Sequence, residues 1–230
     1  MKRWLFDSFL SVFFVMLPSI SLGVTALTEE VNTATYFSEI TKENNAKLFS
    51  SIKNQKIKKL RVNSSGGDVE AAIKLGRWIY NNKIDIEVIE YCLSSCANYL
   101  FTAAFNKNIL PGAIVAWHGN YHHLKQTGLW RDDILTRMKR TGENMEQARA
   151  HVLKQVNHLV KLEQTFFKEI GVDEKICWIG KIPPYNVRNY YFLSVSDMHR
   201  FGVRNVALTK DYEKTNVKKF IEHIVYLKLK

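Results

Sequence analysis

Most of the features that identify a fold on sight are missing from this chain. It has no internal repeat and no low-complexity segment, which excludes solenoids, propellers and disordered linkers. Cysteine is scarce, with three in 230 residues, so a disulfide framework is excluded and one bridge plus one thiol is the most the chain can form. Acid is in deficit: 22 Asp and Glu stand against 33 Lys and Arg, for a net charge of +11. No nucleic-acid recognition motif accompanies that charge, so nucleic acid is not an expected partner. Much of the charge lies in Lys53 to Arg61 and Lys210 to Lys230. The plain reading is a solvated basic face, and the alternative is attraction to anionic lipid or acidic protein. The apolar run from Phe9 to Ile20 is short for a membrane span of roughly 20 residues, with Asp7 just before it and Pro18 inside it. Lys2 and Arg3 precede it, and Ser21, Gly23 and Ala26 follow. This is the layout of a signal peptide cleaved between Ser21 and Ala26, with a retained N-terminal anchor as the less favoured alternative. The mature chain is then expected to be exported, periplasmic or secreted, where disulfides persist.

What is present is an ordered series of strand and helix signals. Residues 1–26 form the signal peptide and 27–56 a peripheral segment without long periodicity. Residues 57–208 form the domain, and 209–230 a basic tail. The strand-like "IKKLRVNSS" ends in "SSGGD", where Asp68 can cap a helix running to about Asn81. A second strand, "IDIEVIEYC", leads into "LSSCAN" and a short buried helix with Ala97, Leu100, Phe101, Ala103 and Ala104. A third strand, "AIVAWHG", ends at His118. The pattern from Trp130 to Ile170 is helical and broken at Gly142, and an aromatic strand "YYFLS" and a short helix from Val195 to Phe201 come later. Strands alternating with helices indicate a single α/β domain.

The chemistry concentrates at the second strand-to-helix junction. A serine at a helix start lies beside free amides and the positive end of the helix dipole, both of which stabilise an oxyanion. Ser95, the last residue before the helix, is the preferred nucleophile and Ser94 the reserve. A serine needs a base within hydrogen-bond reach, and His118 at the end of the next strand is the candidate. The glycines of "SSGGD" can bring an amide close to a tetrahedral intermediate. An unperturbed histidine titrates between about pH 5 and 8, so activity is expected to fall as the pH drops through that window, and a flat rate there would argue against His118 as the base.

"VNSSGGDVEAAIKLGRWI", "CLSSCANYLFTAA", "VAWHG" and "YYFLSVSDMHRFGVRNV" together resemble the successive landmarks of the Clp protease proteolytic subunit and its crotonase-like relatives, over about Ile57 to Val206. The resemblance implies an α/β, ClpP/crotonase-like fold of repeated β-β-α units. It also implies Ser95 as nucleophile, His118 as base, and an oxyanion hole from Gly67 and Cys96, with Gly66 in the same turn. The family's aspartate position falls on Asn186, with Asp173 as the alternative acid. Asparagine can orient an imidazole but adds no charge to stabilise the imidazolium. Peptide or unfolded-protein substrates and a homo-oligomer are implied as well, with no cofactor.

Other constellations are weaker. His118, His122 and His123 lie close in sequence but lack ligand-spaced Cys or carboxylate, so no metal is expected. His151 and His158 are two helical turns apart, too far to share an ion. Of the three pairings open to Cys92, Cys96 and Cys177, a Cys92–Cys96 bridge is favoured, with Cys177 as the rival partner. The functional expectation is an exported serine peptidase. The alternatives are a catalytically inactive binding or assembly module at the membrane surface and, less favoured, an acyl-CoA enzyme.

Overall fold

The computed structural model describes residues 32–208, 211–215 and 223–230. The proposed signal peptide and residues 27–31, 209–210 and 216–222 lie outside the described residues.

Strand β2 (Lys59–Ser64) buries every second residue, and the start of β3 (Asp85–Leu93) does the same, the period of a sheet with one face against a core. They pair in parallel at the centre of a sheet ordered β1-β2-β3-β4-β7. The outer strands are β1 (Thr33–Tyr36), β4 (Lys107–Ile109) and β7 (Val206–Ala207). β3 is long enough to serve two partners. Ile86 to Val88 face β4, and Tyr91 to Leu93 face β5 (Ile114–Ala116). All these pairings are parallel, so the connections must cross over the sheet. Helix α2 (Val69–Asn81) makes one such crossover, capped by Asp68, whose carboxylate accepts from the Ala71 N–H at 2.7 Å. A one-and-a-half-turn π-helix (Cys96–Phe101), buried throughout, begins another. The result is a single α/β domain with a parallel sheet.

Two expectations about the ends of the domain need correction. The segment 27–56, read as peripheral, supplies β1, which extends the sheet, and α1 (Lys42–Ser51); its Tyr36, Ile40 and Leu48 belong to the main core. The expected C-terminal tail supplies β8 (Ile224–Leu227), which pairs in parallel with β6 (Tyr190–Leu193) and buries Ile224 and Leu227. Both strands are held by pairing with residues far away in sequence, which local composition does not report. The short β4 and the helix α3 (Tyr121–Thr127) were likewise not anticipated. After β6 the chain forms α6 (Val195–Arg200) before reaching β7.

The helical stretch divides at Gly142, as its sequence indicates. Gly142 sits at φ +72° and ends α4 (Asp132–Thr141). A reciprocal Asn144–Gln147 capping box then starts α5 (Met145–Ile170). α5 carries Ala148, Val152, Val156 and Val160 against Trp130 and Ile134 in a second small core. Its far end, Phe166 and Phe167, meets Tyr99 of the π-helix. Glu163, fully buried on α5, accepts hydrogen bonds from the Tyr99 hydroxyl at 2.5 Å and from the N–H groups of Tyr121 and His122 at 3.1 and 2.9 Å. One carboxylate thus ties the π-helix, α3 and α5 together behind the site. Among the described residues no helix is long and apolar enough to cross a membrane.

Gly76 shows how tightly α2 lies on the π-helix: a Cβ there would fall onto the Tyr99 carbonyl oxygen and the Phe166 ring. Helix propensity alone favours Ala over Gly by about 1 kcal/mol. Gly76→Ala is nevertheless expected to destabilise the protein by about 1–3 kcal/mol through overpacking, measured by urea unfolding. Stability at or above the parent's would show that the two helices can separate without loss.

Candidate active site

Ser94 connects a strand to a helix with no intervening loop. Its N–H donates to the Ala116 carbonyl at 3.1 Å, extending the β3–β5 ladder by one residue. Its carbonyl accepts from the Asn98 N–H at 2.8 Å, the first bond of the helical turn. Both bonds are made with Ser94 at φ +54°, a left-handed conformation that costs a non-glycine residue roughly 1–2 kcal/mol. This sharp elbow presents the hydroxyl, which lies 2.7 Å from Nε2 of His118.

The surrounding residues fit the elbow. A Cβ on Gly66 would come within 2.8 Å of the Leu93 carbonyl oxygen, the Ser94 Cβ and the Ser95 nitrogen, so only glycine lets the two turns approach. Ser95 is buried, and its hydroxyl donates to the Gly67 carbonyl at 2.8 Å. It therefore pins the elbow to the glycine turn, while Ser94, the reserve candidate from sequence, is the serine that meets His118. The sulfurs of Cys92 and Cys96 are at disulfide distance, with their Cα atoms 5.2 Å apart, and they bracket both serines. Cys177 is buried and free.

The glycine turn is anchored on the chain ahead of α1. Ile40 donates to the Gly66 carbonyl and accepts from the Asp68 N–H. A Cβ on Gly67 would fall onto the Ile40 carbonyl oxygen. The Gly66 N–H is occupied by the Ser64 hydroxyl at 3.2 Å. Cys96 is the first residue of the π-helix, where an N–H has no acceptor within its own helix.

His118 is placed by sheet pairing. Trp117 and Tyr191 form an antiparallel bridge, exchanging hydrogen bonds of 2.8 and 2.9 Å. In antiparallel register the next residues, His118 and Tyr190, then stand opposite each other. Their rings pack at 4.5 Å between centroids and 33° between planes. Burial raises the pKa of the Tyr190 hydroxyl, with nearby Ser94 working in the opposite direction. Asn98 adds a tie, its Nδ2 donating to the Gly119 carbonyl at 3.0 Å. Tyr190 and Asn98 were not foreseen as site residues. The signal for Asn98 was its place in "SSCAN", one helical turn after Ser94.

Neither expected third member reaches the base. Asp173 caps a short 3₁₀ turn, accepting from the Lys175 N–H at 2.9 Å. Asn186 sits at φ +51° in the turn after Pro184, its N–H bonded to the Ile182 carbonyl at 3.2 Å. Neither hydrogen-bonds His118. The charge that His118 does feel is positive. His118 is exposed overall, yet desolvation by the protein around it lowers its pKa to about 4, with Lys181 adding to the depression. Three other histidines have separate partners: His122 meets Glu174 at 2.6 Å, His151 meets Glu143 at 3.1 Å and His158 meets Glu70 at 2.9 Å. Among the described residues no group of three or more His, Cys, Asp or Glu could hold a metal ion.

No family model matches the chain, and no curated protein matches it. Solved structures do resemble it. A point mutant of ClpP1 from Listeria monocytogenes is 15% identical over 78% of this chain and 93% of its own, with a TM-score of 0.45. ClpP1 from the same organism is 16% identical with the same coverages and a TM-score of 0.41.

A base with a lowered pKa stays neutral, and able to accept a proton, further into acid. A pKa of about 4 would move the acid fall below the window of an ordinary histidine. The rate of Ser94 acylation should be flat over that range and drop only as the pH approaches about 4. A midpoint near 6.5 in a stopped-time labelling series would show that the ring titrates as a free histidine.

Proposed function

We propose that the protein is an exported ClpP-like serine peptidase in which Ser94 attacks a peptide carbonyl and His118 shuttles the proton. The observation that carries this reading is the 2.7 Å contact between the Ser94 hydroxyl and Nε2 of His118 at a left-handed strand-to-helix elbow. In this mechanism Nε2 is the unprotonated nitrogen and takes the hydroxyl proton as the Oγ–C bond forms. The N–H groups of Gly67 and Cys96 receive the oxyanion. His118 then returns the proton to the leaving amine, and water, activated by the same nitrogen, releases the acyl group. Removing the acid from a full triad lowers turnover on the order of 10⁴, so a site without one should be slow. Export is supported by the layout of the first 26 residues and by the Cys92–Cys96 pair, which an oxidising compartment sustains. The substrate is an extended or unfolded peptide, and the active form is a homo-oligomer.

The test is labelling with a fluorophosphonate probe. Wild type and Ser95→Ala should label, the latter with stability reduced by about 1 kcal/mol for a lost hydrogen bond. Ser94→Ala and His118→Gln should label at least tenfold more slowly. Labelling that survives Ser94→Ala but not Ser95→Ala would return the nucleophile to Ser95. The missing acid favours one rival, a non-catalytic module held at an anionic membrane surface; sedimentation with phosphatidylserine vesicles and no labelling of any form would establish it instead.

A further inference from the structure

Lys181 occupies an unusual position for a cation. It is half-buried, and its Nζ donates to the carbonyls of Arg188 and Asn189 at 2.8 and 2.9 Å. An ammonium has three donors, so one N–H remains. The next residue after those carbonyls is Tyr190, whose ring packs on His118. Two carbonyl bonds therefore fix the ammonium to the backbone that carries one wall of the site. The positive charge acts on His118 and also on His123, which stacks on Trp178 at 6.1 Å. Among the described residues Lys181 has no acidic partner. The nearest acid in sequence, Glu174, is occupied by His122.

A cation beside a general base works against catalysis, because it opposes the imidazolium formed when the base takes the proton. A half-buried ammonium without a counter-ion is also costly in the resting protein. Both problems end if an anion arrives with the substrate. We propose that Lys181 receives a carboxylate of the substrate, so that the site acts on peptides carrying a carboxylate near the scissile bond, either their own C-terminus or an Asp or Glu side chain. Once bound, that carboxylate offsets the ammonium and stabilises the imidazolium, the role of the acid that the chain itself does not supply. No bond to Lys181 is made or broken; the ammonium and carboxylate form a charge-assisted hydrogen bond. This inference rests on the Ser94–His118 reading and assigns that site a substrate class.

The experiment compares cleavage of unstructured peptides by mass spectrometry in three matched sets. One has free C-termini and no Asp or Glu, one has amidated C-termini and no Asp or Glu, and one has amidated C-termini with Glu near the cleaved bond. Wild type should cleave one of the carboxylate-bearing sets about tenfold faster than the set without carboxylates, the ratio a single charge-assisted hydrogen bond provides. Which set is preferred distinguishes the C-terminal from the side-chain source. The ratio should fall to within twofold in Lys181→Met and be largely kept in Lys181→Arg, both checked for folding by their thermal melts. Because the ratio is read within wild type as well, a misfolded variant does not remove the test. Fluorophosphonate labelling that depends on Ser94, together with equal cleavage of all three sets or a preference that survives Lys181→Met, overturns the inference and leaves the peptidase reading standing. Absence of Ser94-dependent labelling overturns both.

Discussion

The site depends on one residue doing two backbone jobs. Ser94 must complete the ladder between β3 and β5 and also open a helix, and an L-residue does both only at positive φ. That costs about 1–2 kcal/mol, and the neighbours offset it. Gly66 yields the space, Ser95 pins the turn to Gly67, and the Cys92–Cys96 pair bridges the bend. Together they hold a hydroxyl clear of the sheet, and the bridge between Trp117 and Tyr191 brings the imidazole to meet it.

The same construction explains the electrostatics. His118 stands opposite Tyr190 because the register of two strands puts it there, and the Tyr190 ring packs against its face. Burial keeps the imidazole neutral, and Lys181 acts in the same direction. The resting base is thus ready to accept a proton but poorly equipped to keep it. Stacking on Tyr190 orients the ring and leaves its charge uncompensated. This deficit separates the chain from a complete triad and gives meaning to a cation that otherwise lacks a counter-ion.

Local patterns in the sequence were read reliably where they depend on near neighbours. The limits of α2 follow from its Asp68 cap and three-to-four spacing, the break at Gly142 from a residue that tolerates positive φ, and the central strands from alternation. His118 was identified as the base candidate from its place after a strand. The adjacent serines could not be separated this way. They share a residue type and a motif, and the backbone dihedral that sends one hydroxyl to His118 and the other to Gly67 is set by the pairing of β3 with β5. Asn186 and Asp173 fitted a spacing, but the chain turns at Pro183 and Pro184 and again at residues 173–177, leaving neither side chain bonded to the ring.

The sequence alone determined the central strands and the helix between them, the presence of a glycine turn, a hydroxyl-rich elbow and a histidine at successive junctions, and the excess of positive charge. These are properties of residue type and short-range spacing, which survive without knowledge of the fold. Tertiary structure decided which serine faces the base and which aromatic ring packs on it. Each of those depends on strand register between segments dozens of residues apart, where a shift of one position would turn every side chain to the opposite face.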